Sequence, residues 1–460
     1  MMRLTLAASA ALILAGCASF SSDGAMGKVS ELTKERTGQA VSVQRSEQDA
    51  STARGRVGDI LKEPLTVDAA VELALLNNRG LQASFSKLGV AEADLVQAGR
   101  LRNPLLGFGR LAGGGVVEID RSILFDVLGL LTMPIARQVE QRRFEQAQCQ
   151  AAYDAVGIAA DTRRAYFNAV AAQQLVKYFE QVKQAADASN ELAKRMVQAG
   201  NFSKLAQMRE QAFYADATAN LARAQQQAVA EREGLTRLLG LSGEQLNFKL
   251  PERLPELPQQ PAEPKDAEQT AIDKRLDVLM ARRATEAIAR SLGLIQATRF
   301  INALDVGYQN RSETGSPRAN GYEVELVLPL FDFGSVRSAR AEATYMQAVN
   351  RTAQVAVNAR SQVRQSYQGY RTAYDLAKHY RDEVVPLRKR ISEENLLRYN
   401  AMLISVFELL ADAGEQVRAV AASVQASRDF WIADTELQRV LTGGGPAAGS
   451  VSPSIPAATG

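Results

Sequence analysis

The chain has little of what most catalytic centres are built from. Its 460 residues include one histidine (His379), two cysteines (Cys17 and Cys149) and one tryptophan (Trp431). That inventory leaves almost nothing for a zinc, haem or Cys/His site, so neither metal nor cofactor is expected. Charge of one sign is also lacking: 54 Lys+Arg against 51 Asp+Glu gives +3, which is no electrostatic footprint for a nucleic acid. Aromatic residues make up only 6%, while the hydrophobic fraction is an ordinary 46% and leans on alanine. Such a composition suits long helices meeting along thin, small-residue seams better than one thick core. His379 stands beside Lys378 and near Arg381, as a solvated helix residue would, and the nine methionines are scattered and trace no metal path.

The N-terminus carries a targeting pattern. Arg3 is followed by an apolar run from Leu4 to Leu14. The run is too short for a membrane-spanning helix, which needs ~20 residues, and fits the apolar stretch of a secretory signal. It ends Leu14-Ala15-Gly16-Cys17, which resembles the lipobox of bacterial lipoproteins. The resemblance implies cleavage of residues 1–16 and lipidation of Cys17. Ala18 and Ser19 follow, not the aspartate that favours inner-membrane retention, which points to the outer membrane. Cys149 is then left without a disulfide partner in the chain.

Beyond this leader the chain repeats itself. Leu95, Gln97, Ala98, Arg100 and Asn103 return as Leu294, Gln296, Ala297, Arg299 and Asn302, at an offset of 199. Met133-Pro134-Ile135 returns as Leu328-Pro329-Leu330, and Ala199, Phe202-Ser203 and Leu205 return as Ala401, Ile404-Ser405 and Phe407. Residues 17–63 show no sustained period and read as an extended lead segment. The first repeat spans 64–250, opening with a helix capped by Thr66 or Asp68 that runs to about Arg102. A proline-rich linker occupies 251–270, the second repeat 271–442, and a disordered tail 443–460. From Ala136 to Ala199 no proline interrupts 64 residues, or ~96 Å of helix. In the second repeat a 3,4-spaced seam runs Tyr345, Ala348, Thr352, Val355, Ala359, Gln362, Ser366, Gly369, Ala373, Leu376, Tyr380, as in a coiled coil. Pro386 should kink or interrupt the helix after it. Helical tips are expected near 199–203 and 401–405, with Gly200, Ser203, Met402 and Ser405 making the turns.

Between the helices lie two expected β-hairpins, about 103–134 and 300–330. Leu304, Val306 and Tyr308 alternate with Asp305, Gly307 and Gln309, and Tyr322, Val324, Leu326 and Leu328 alternate with Glu323 and Glu325. Period two with one apolar and one acidic face describes a two-faced strand. The first hairpin is weaker: Val117, Ile119 and Ile123 oppose Glu118, Asp120 and Ser122, and Arg121 falls on the apolar face. Strands of ~9–11 residues suit a tilted membrane barrel, yet four strands cannot enclose a pore. Several chains must share one barrel, or the hairpins are not in a membrane.

Lipobox, paired repeats, long helices and one amphipathic hairpin per repeat together resemble the TolC-type outer-membrane efflux and secretion ducts. The segments 65–82 (LTVDAAVELALLNNRGLQ), 328–343 (LPLFDFGSVRSARAEA) and 398–413 (RYNAMLISVFELLADA) resemble that family's opening helix, strand-to-helix junction and helix tip. The resemblance covers roughly 64–442. Met402 departs from the family's usual glycine, and the first hairpin lacks the Phe-Asp-x-Gly junction of 331–334. Asp332 there also echoes a kinase motif, but without a glycine-rich or catalytic loop it reads as a helix N-terminal residue.

The resemblance implies a mainly α fold with membrane β: antiparallel coiled-coil helices forming a periplasmic α-barrel, and four strands per chain contributed to a trimeric twelve-stranded β-barrel. It implies a homotrimer in outer-membrane lipid that passively conducts substrates. Its partners would be a periplasmic adaptor and an inner-membrane pump, such as one of the resistance–nodulation–division type. Glu118, Asp120, Asp305, Glu323 and Glu325 would line the barrel lumen. The family's acidic tip ring falls on Glu408, with Asp412 one residue late for the second position. Ser405-Val406-Phe407-Glu408 reads equally as a capping box. The alternative is a scaffolding periplasmic coiled-coil lipoprotein, which explains the helices and Cys17 but not the alternation at 322–328. The transported substrate is not legible.

Overall fold

A computed structural model describes residues 19–301, 303–331 and 333–445. Cys17, Asp332 and residues 446–460 lie outside the described residues. The elements run α1 (Met26–Thr37), α2 (Glu47–Ile60), α3 (Val67–Asn77), α4 (Arg79–Ala98), β1 (Leu105–Gly113), β2 (Val116–Asp126), α5 (Val127–Gln198), α6 (Lys204–Leu239), α7 (Ala267–Lys274), α8 (Leu276–Ala297), β3 (Ala303–Glu313), β4 (Ala319–Val327), α9 (Ser335–His379), α10 (Val385–Asn400) and α11 (Val406–Gln438). The chain divides into two compact units. One holds residues up to 32, 84–152 and 276–358; the other holds 33–83, 153–275 and the remainder from 359.

Four expectations are corrected. The lead segment is not extended: it contains α1 and α2. Helix α2 starts at a reciprocal capping box, in which Ser46 Oγ accepts from Asp49 N–H (3.1 Å) and Asp49 Oδ2 accepts from Ser46 N–H (3.0 Å). Its apolar content is so thin, with Val57 its one buried residue, that hydrophobic period gave no signal. The helix expected to run from Thr66 to about Arg102 is two helices. Thr66 does cap α3, accepting from Ala69 N–H at 3.2 Å, but the backbone turns extended at Asn78. Asn77 and Asn78 then donate to the Leu238, Leu239 and Gly240 carbonyls that end α6, so the break satisfies a second helix's orphan acceptors. The first hairpin ends at Asp126, not near 134, and Pro134 lies inside α5. Residues 443–445, expected in a disordered tail, are also packed: Gly443 is buried, and Tyr153 Oη donates to the Gly445 carbonyl at 3.1 Å.

Within the second unit the scarce aromatic residues are concentrated. Val57, Leu65, Leu73, Tyr166, Phe167, Leu235 and Leu239 form one buried cluster, and Leu257, Tyr370, Tyr374 and Phe430 another. Trp431 packs against both, with its ring 5.5 Å from Phe167 and 5.1 Å from Phe430. This aromatic girdle straps down the proline-rich linker. Trp431 Nε1 donates to the Pro255 carbonyl (3.1 Å), Tyr374 Oη to the Gln259 carbonyl (2.8 Å), and Tyr370 Oη accepts from Ala262 N–H (2.8 Å). Prolines have no backbone N–H to donate, so side chains fix the segment where a ladder cannot.

The seam of α9 drifts from a strict heptad. Ala341, Tyr345, Ala348, Thr352 and Ala359 are buried or half-buried, as its spacing requires. After Ala359 the buried stripe moves to Val363, Tyr370, Tyr374 and Ala377, leaving Gly369 and Leu376 exposed in the single chain. A straight helix slips ~20° per heptad against a 3.5 repeat, so over the length of α9 the buried stripe leaves a strict heptad seam. Helix α9 gives way to a π-helical turn at Tyr380–Val384, and Pro386 lies directly after it in the first turn of α10, so the regular helix is interrupted just before the proline.

Candidate functional site: a two-faced sheet and two helical tips

In the first unit the four strands form one antiparallel sheet in the order β1-β2-β3-β4, so the two hairpins pair through β2 and β3. Register sorts the side chains. Asp120 faces Arg311, Glu118 faces Glu313, Asp126 faces Asp305, and Asp305 in turn faces Glu325. Gly307 faces Glu323. Glu118, Asp120, Asp305, Glu323 and Glu325 therefore share one face. Arg311 Nε bridges Glu118 (3.0 Å) and Asp120 (2.8 Å) towards the turns. Towards the helices, Asp126 pairs with Arg102 at 3.3 Å, while Asp305, Glu323 and Glu325 make no ion pair among the described residues.

The opposite face is built in rows. Leu304 pairs with Leu326, Phe125 with Val306 and Val306 with Val324, and then Leu106, Ile123, Tyr308 and Tyr322 lie side by side. These large apolar residues stand in solvent: Leu106 is 73% and Tyr322 87% exposed. Both outer edges, of β1 and β4, are unpaired among the described residues. Close strand approach is built in at Gly307, where a Cβ would collide with the Ile123 carbonyl oxygen.

The tips repeat one construction. After α5, Gly200 N–H bonds the Val197 carbonyl (3.0 Å) and Asn201 N–H the Met196 carbonyl (2.9 Å). After α10, Met402 N–H bonds Tyr399 and Leu403 N–H bonds Arg398, each at 2.9 Å. Both are Schellman closures with the key residue left-handed: Gly200 has φ 76° and Met402 φ 62°. Ser203 and Ser405 then cap the returning helices α6 and α11 through Ala206 N–H (3.1 Å) and Glu408 N–H (3.4 Å). Arg209 lies over the Phe407 ring at 4.4 Å, joining the two returning helices.

The capping box at Ser405 is only half made. Glu408 is exposed, and its carboxylate returns no bond to the Ser405 N–H among the described residues. Asp412, four residues on, is instead buried, with Oδ2 lacking any hydrogen-bond partner. The repeat also brings forward an acid that the sequence reading passed over. Glu210 stands seven residues after Ser203, as Asp412 stands after Ser405; it too is buried and accepts from Ser189 Oγ at 2.8 Å. Carrying the tip offset of 202 one helical turn further would have found it.

No family model matches the chain, and no curated protein does. Solved structures do. The chain is similar to the outer-membrane channel OprN (20% identity, TM-score 0.71, covering 84% of this chain and 92% of that one). It is also similar to the outer membrane protein VceC of Vibrio cholerae (16%, 0.69, 82% and 96%) and the CmeC outer membrane channel of Campylobacter jejuni (14%, 0.69, 84% and 87%). The fold is that of the outer-membrane channels. The resemblance drawn from the sequence holds at that level: long helices joined to a four-stranded antiparallel sheet.

Proposed function

We propose that the chain is the outer-membrane duct of a tripartite efflux or type I secretion system. One observation carries the proposal: a four-stranded sheet, apolar on one face and acidic on the other, has two open edges in a chain with an outer-membrane-channel fold. Open apolar edges invite pairing with further strands. Closing β1 of one copy on β4 of the next satisfies both ladders, and three copies give twelve strands. The apolar rows then meet lipid, while Glu118, Asp120, Asp305, Glu323 and Glu325 line the lumen. A charge on the lipid face costs up to ~2–4 kcal/mol at the bilayer midplane, which fixes that orientation.

Transport in this reading is passive: the pump supplies the energy and the lumen supplies the path. Gly200, Ser203, Met402 and Ser405 turn the chain at the periplasmic tips, where an adaptor docks. Glu408 and Asp412 are the tip acids. Threefold symmetry gathers three exposed Glu408 carboxylates that attract cations and repel one another. A buried Asp412 oxygen without a partner gains hydration in any rotation of α11 that exposes it. Cys17, lipidated, anchors the N-terminal segment beside the barrel. The test is twofold: heat-resistant trimers in detergent, and ion conductance in planar bilayers. Monomers that conduct nothing would favour a scaffolding lipoprotein.

A further inference from the structure

Arg121, the residue that did not fit its strand, belongs to a larger group. Above the row of Leu106, Ile123, Tyr308 and Tyr322, the apolar face changes character. The next row reads Phe108, Arg121, Asn310, Asn320, and the one after it holds Arg110, Ile119 and Ser312. Side chains tie this belt together. Arg121 Nη1 donates to Asn310 Oδ1 (3.1 Å), Asn310 Nδ2 to Asn320 Oδ1 (2.7 Å), and Tyr308 Oη to the same Asn320 oxygen (2.6 Å). Arg121 thus spends one of its five N–H donors. Arg110 is exposed and has no ion pair among the described residues. It is diagonal to Arg121, because its direct partner is Ile119, which sets the two residues ~7–8 Å apart.

Charge on this face is one-sided. Its positions on all four strands contain two arginines and no carboxylate. The nearest acids, Glu118 and Asp120, are on the other face and already bridged by Arg311. Two unneutralised guanidinium groups would be costly at the bilayer midplane and nearly free at its interface. Tyr308 and Tyr322, in the row directly beneath, mark that interface independently, since tyrosines gather at headgroup level. The belt begins at mid-strand, where Arg121 is the sixth of eleven residues in β2, and continues through Arg110 towards the hairpin turns, the ends remote from the helices.

We infer that Arg110 and Arg121 form a binding site for the phosphate groups of an acidic lipid in the leaflet that surrounds the hairpin turns. Guanidinium forks match phosphate oxygens bidentately. The Asn310–Asn320–Tyr308 chain pre-orients Arg121, so little side-chain freedom is lost on binding. The occupant is a lipid because the acyl chains would continue down the apolar rows below the headgroup. The inference rests on the apolar face being the lipid-facing one.

The test uses purified trimers of wild type, Arg110→Gln/Arg121→Gln, Arg110→Lys/Arg121→Lys and Arg311→Gln, reconstituted in zwitterionic vesicles with or without phosphorylated lipid A. Lipid A retained per trimer is measured after extraction into detergent. Loss of both arginines should weaken retention roughly 30-fold, from about fivefold per basic residue near an anionic surface. The lysine pair should restore part of it, Arg311→Gln should leave it unchanged, and millimolar inorganic phosphate should compete only weakly. Equal retention by wild type and the glutamine pair overturns the site, as does complete displacement by inorganic phosphate. A Val324→Cys variant separates the underlying premise. If vesicle-bound Val324→Cys resists a water-soluble thiol reagent, the face meets lipid and the retention result stands by itself. If it labels fully, the face is not lipidic, and the site falls with it.

Discussion

Met402 occupies a left-handed backbone position (φ 62°) that its repeat counterpart fills with Gly200 (φ 76°). Its side chain is 92% exposed, so replacing it removes backbone strain and no packing. A left-handed residue with a Cβ costs ~1–2 kcal/mol. Glycine returns ~0.5–1 kcal/mol of that through the greater freedom of the opened chain. Met402→Gly should therefore stabilise the closed tip by a net ~0.5–1 kcal/mol, and Gly200→Ala should destabilise the other tip by a similar amount. The assay is hydrogen exchange at the amides that close the turns, Met402 and Leu403 in one tip and Gly200 and Asn201 in the other, all hydrogen-bonded. Local opening free energy reads out directly there. Exchange at Leu403 should slow about two- to fivefold in Met402→Gly, and exchange at Asn201 should quicken about two- to fivefold in Gly200→Ala. Faster exchange at Leu403 in Met402→Gly would refute the strain argument.

Glu408→Gln and Glu408→Ala should behave alike, because the reciprocal half of the capping box is not made. Both should lower cation preference in planar bilayers with little change in thermal stability; wild-type selectivity in both would remove Glu408 from the conduction path. Gly307→Val should prevent β2–β3 pairing through its collision with the Ile123 carbonyl, so heat-resistant trimers should vanish from gels, and their persistence would contradict the register. Burial, with a smaller contribution from Asp68, pushes the Tyr166 hydroxyl from 10.0 up to about 12. A folded value above the unfolded one means that this contribution is complete below pH 10 and lost as pH rises towards about 12. Denaturant titrations across that window should slope less in Tyr166→Phe, and identical slopes would sink the assignment. A fatty-acid analogue should label the wild type and not Cys17→Ser, which should still reach the membrane through its strands; an unlabelled wild type would end the lipidation proposal.

What the sequence reveals of this fold follows from where its signals are periodic. Tyr322 to Leu328 and Leu304 to Tyr308 alternate cleanly, and the register joins the five acids into one face because period two admits no other sorting. The tips were legible because Ala199 and Ser203 return as Ala401 and Ser405 at a fixed offset, although Met402 stands where the first tip has Gly200. The N-terminal helices were not. Helices α1 and α2 have few apolar residues and are recognised by a capping box and tertiary burial. The break at Asn78 depends on carbonyls 160 residues away in sequence. The shift of the α9 stripe after Ala359 comes from helix geometry that a strict heptad count ignores. At the tip, the resemblance singled out Glu408 and Asp412 together, but packing exposes one and buries the other.

The central claim is that copies of the chain close edge to edge into one barrel of three. Single cysteines in β1, between Leu105 and Gly113, paired with single cysteines scanned along β4 from Ala319 to Val327 in a Cys149→Ser background, test it in the outer membrane. Adjacent positions should oxidise to a disulfide between copies, giving a non-reducing gel ladder of one, two and three chains that stops at three. Chains that stay single at every scanned position, or a ladder that grows past three, would contradict the shared barrel.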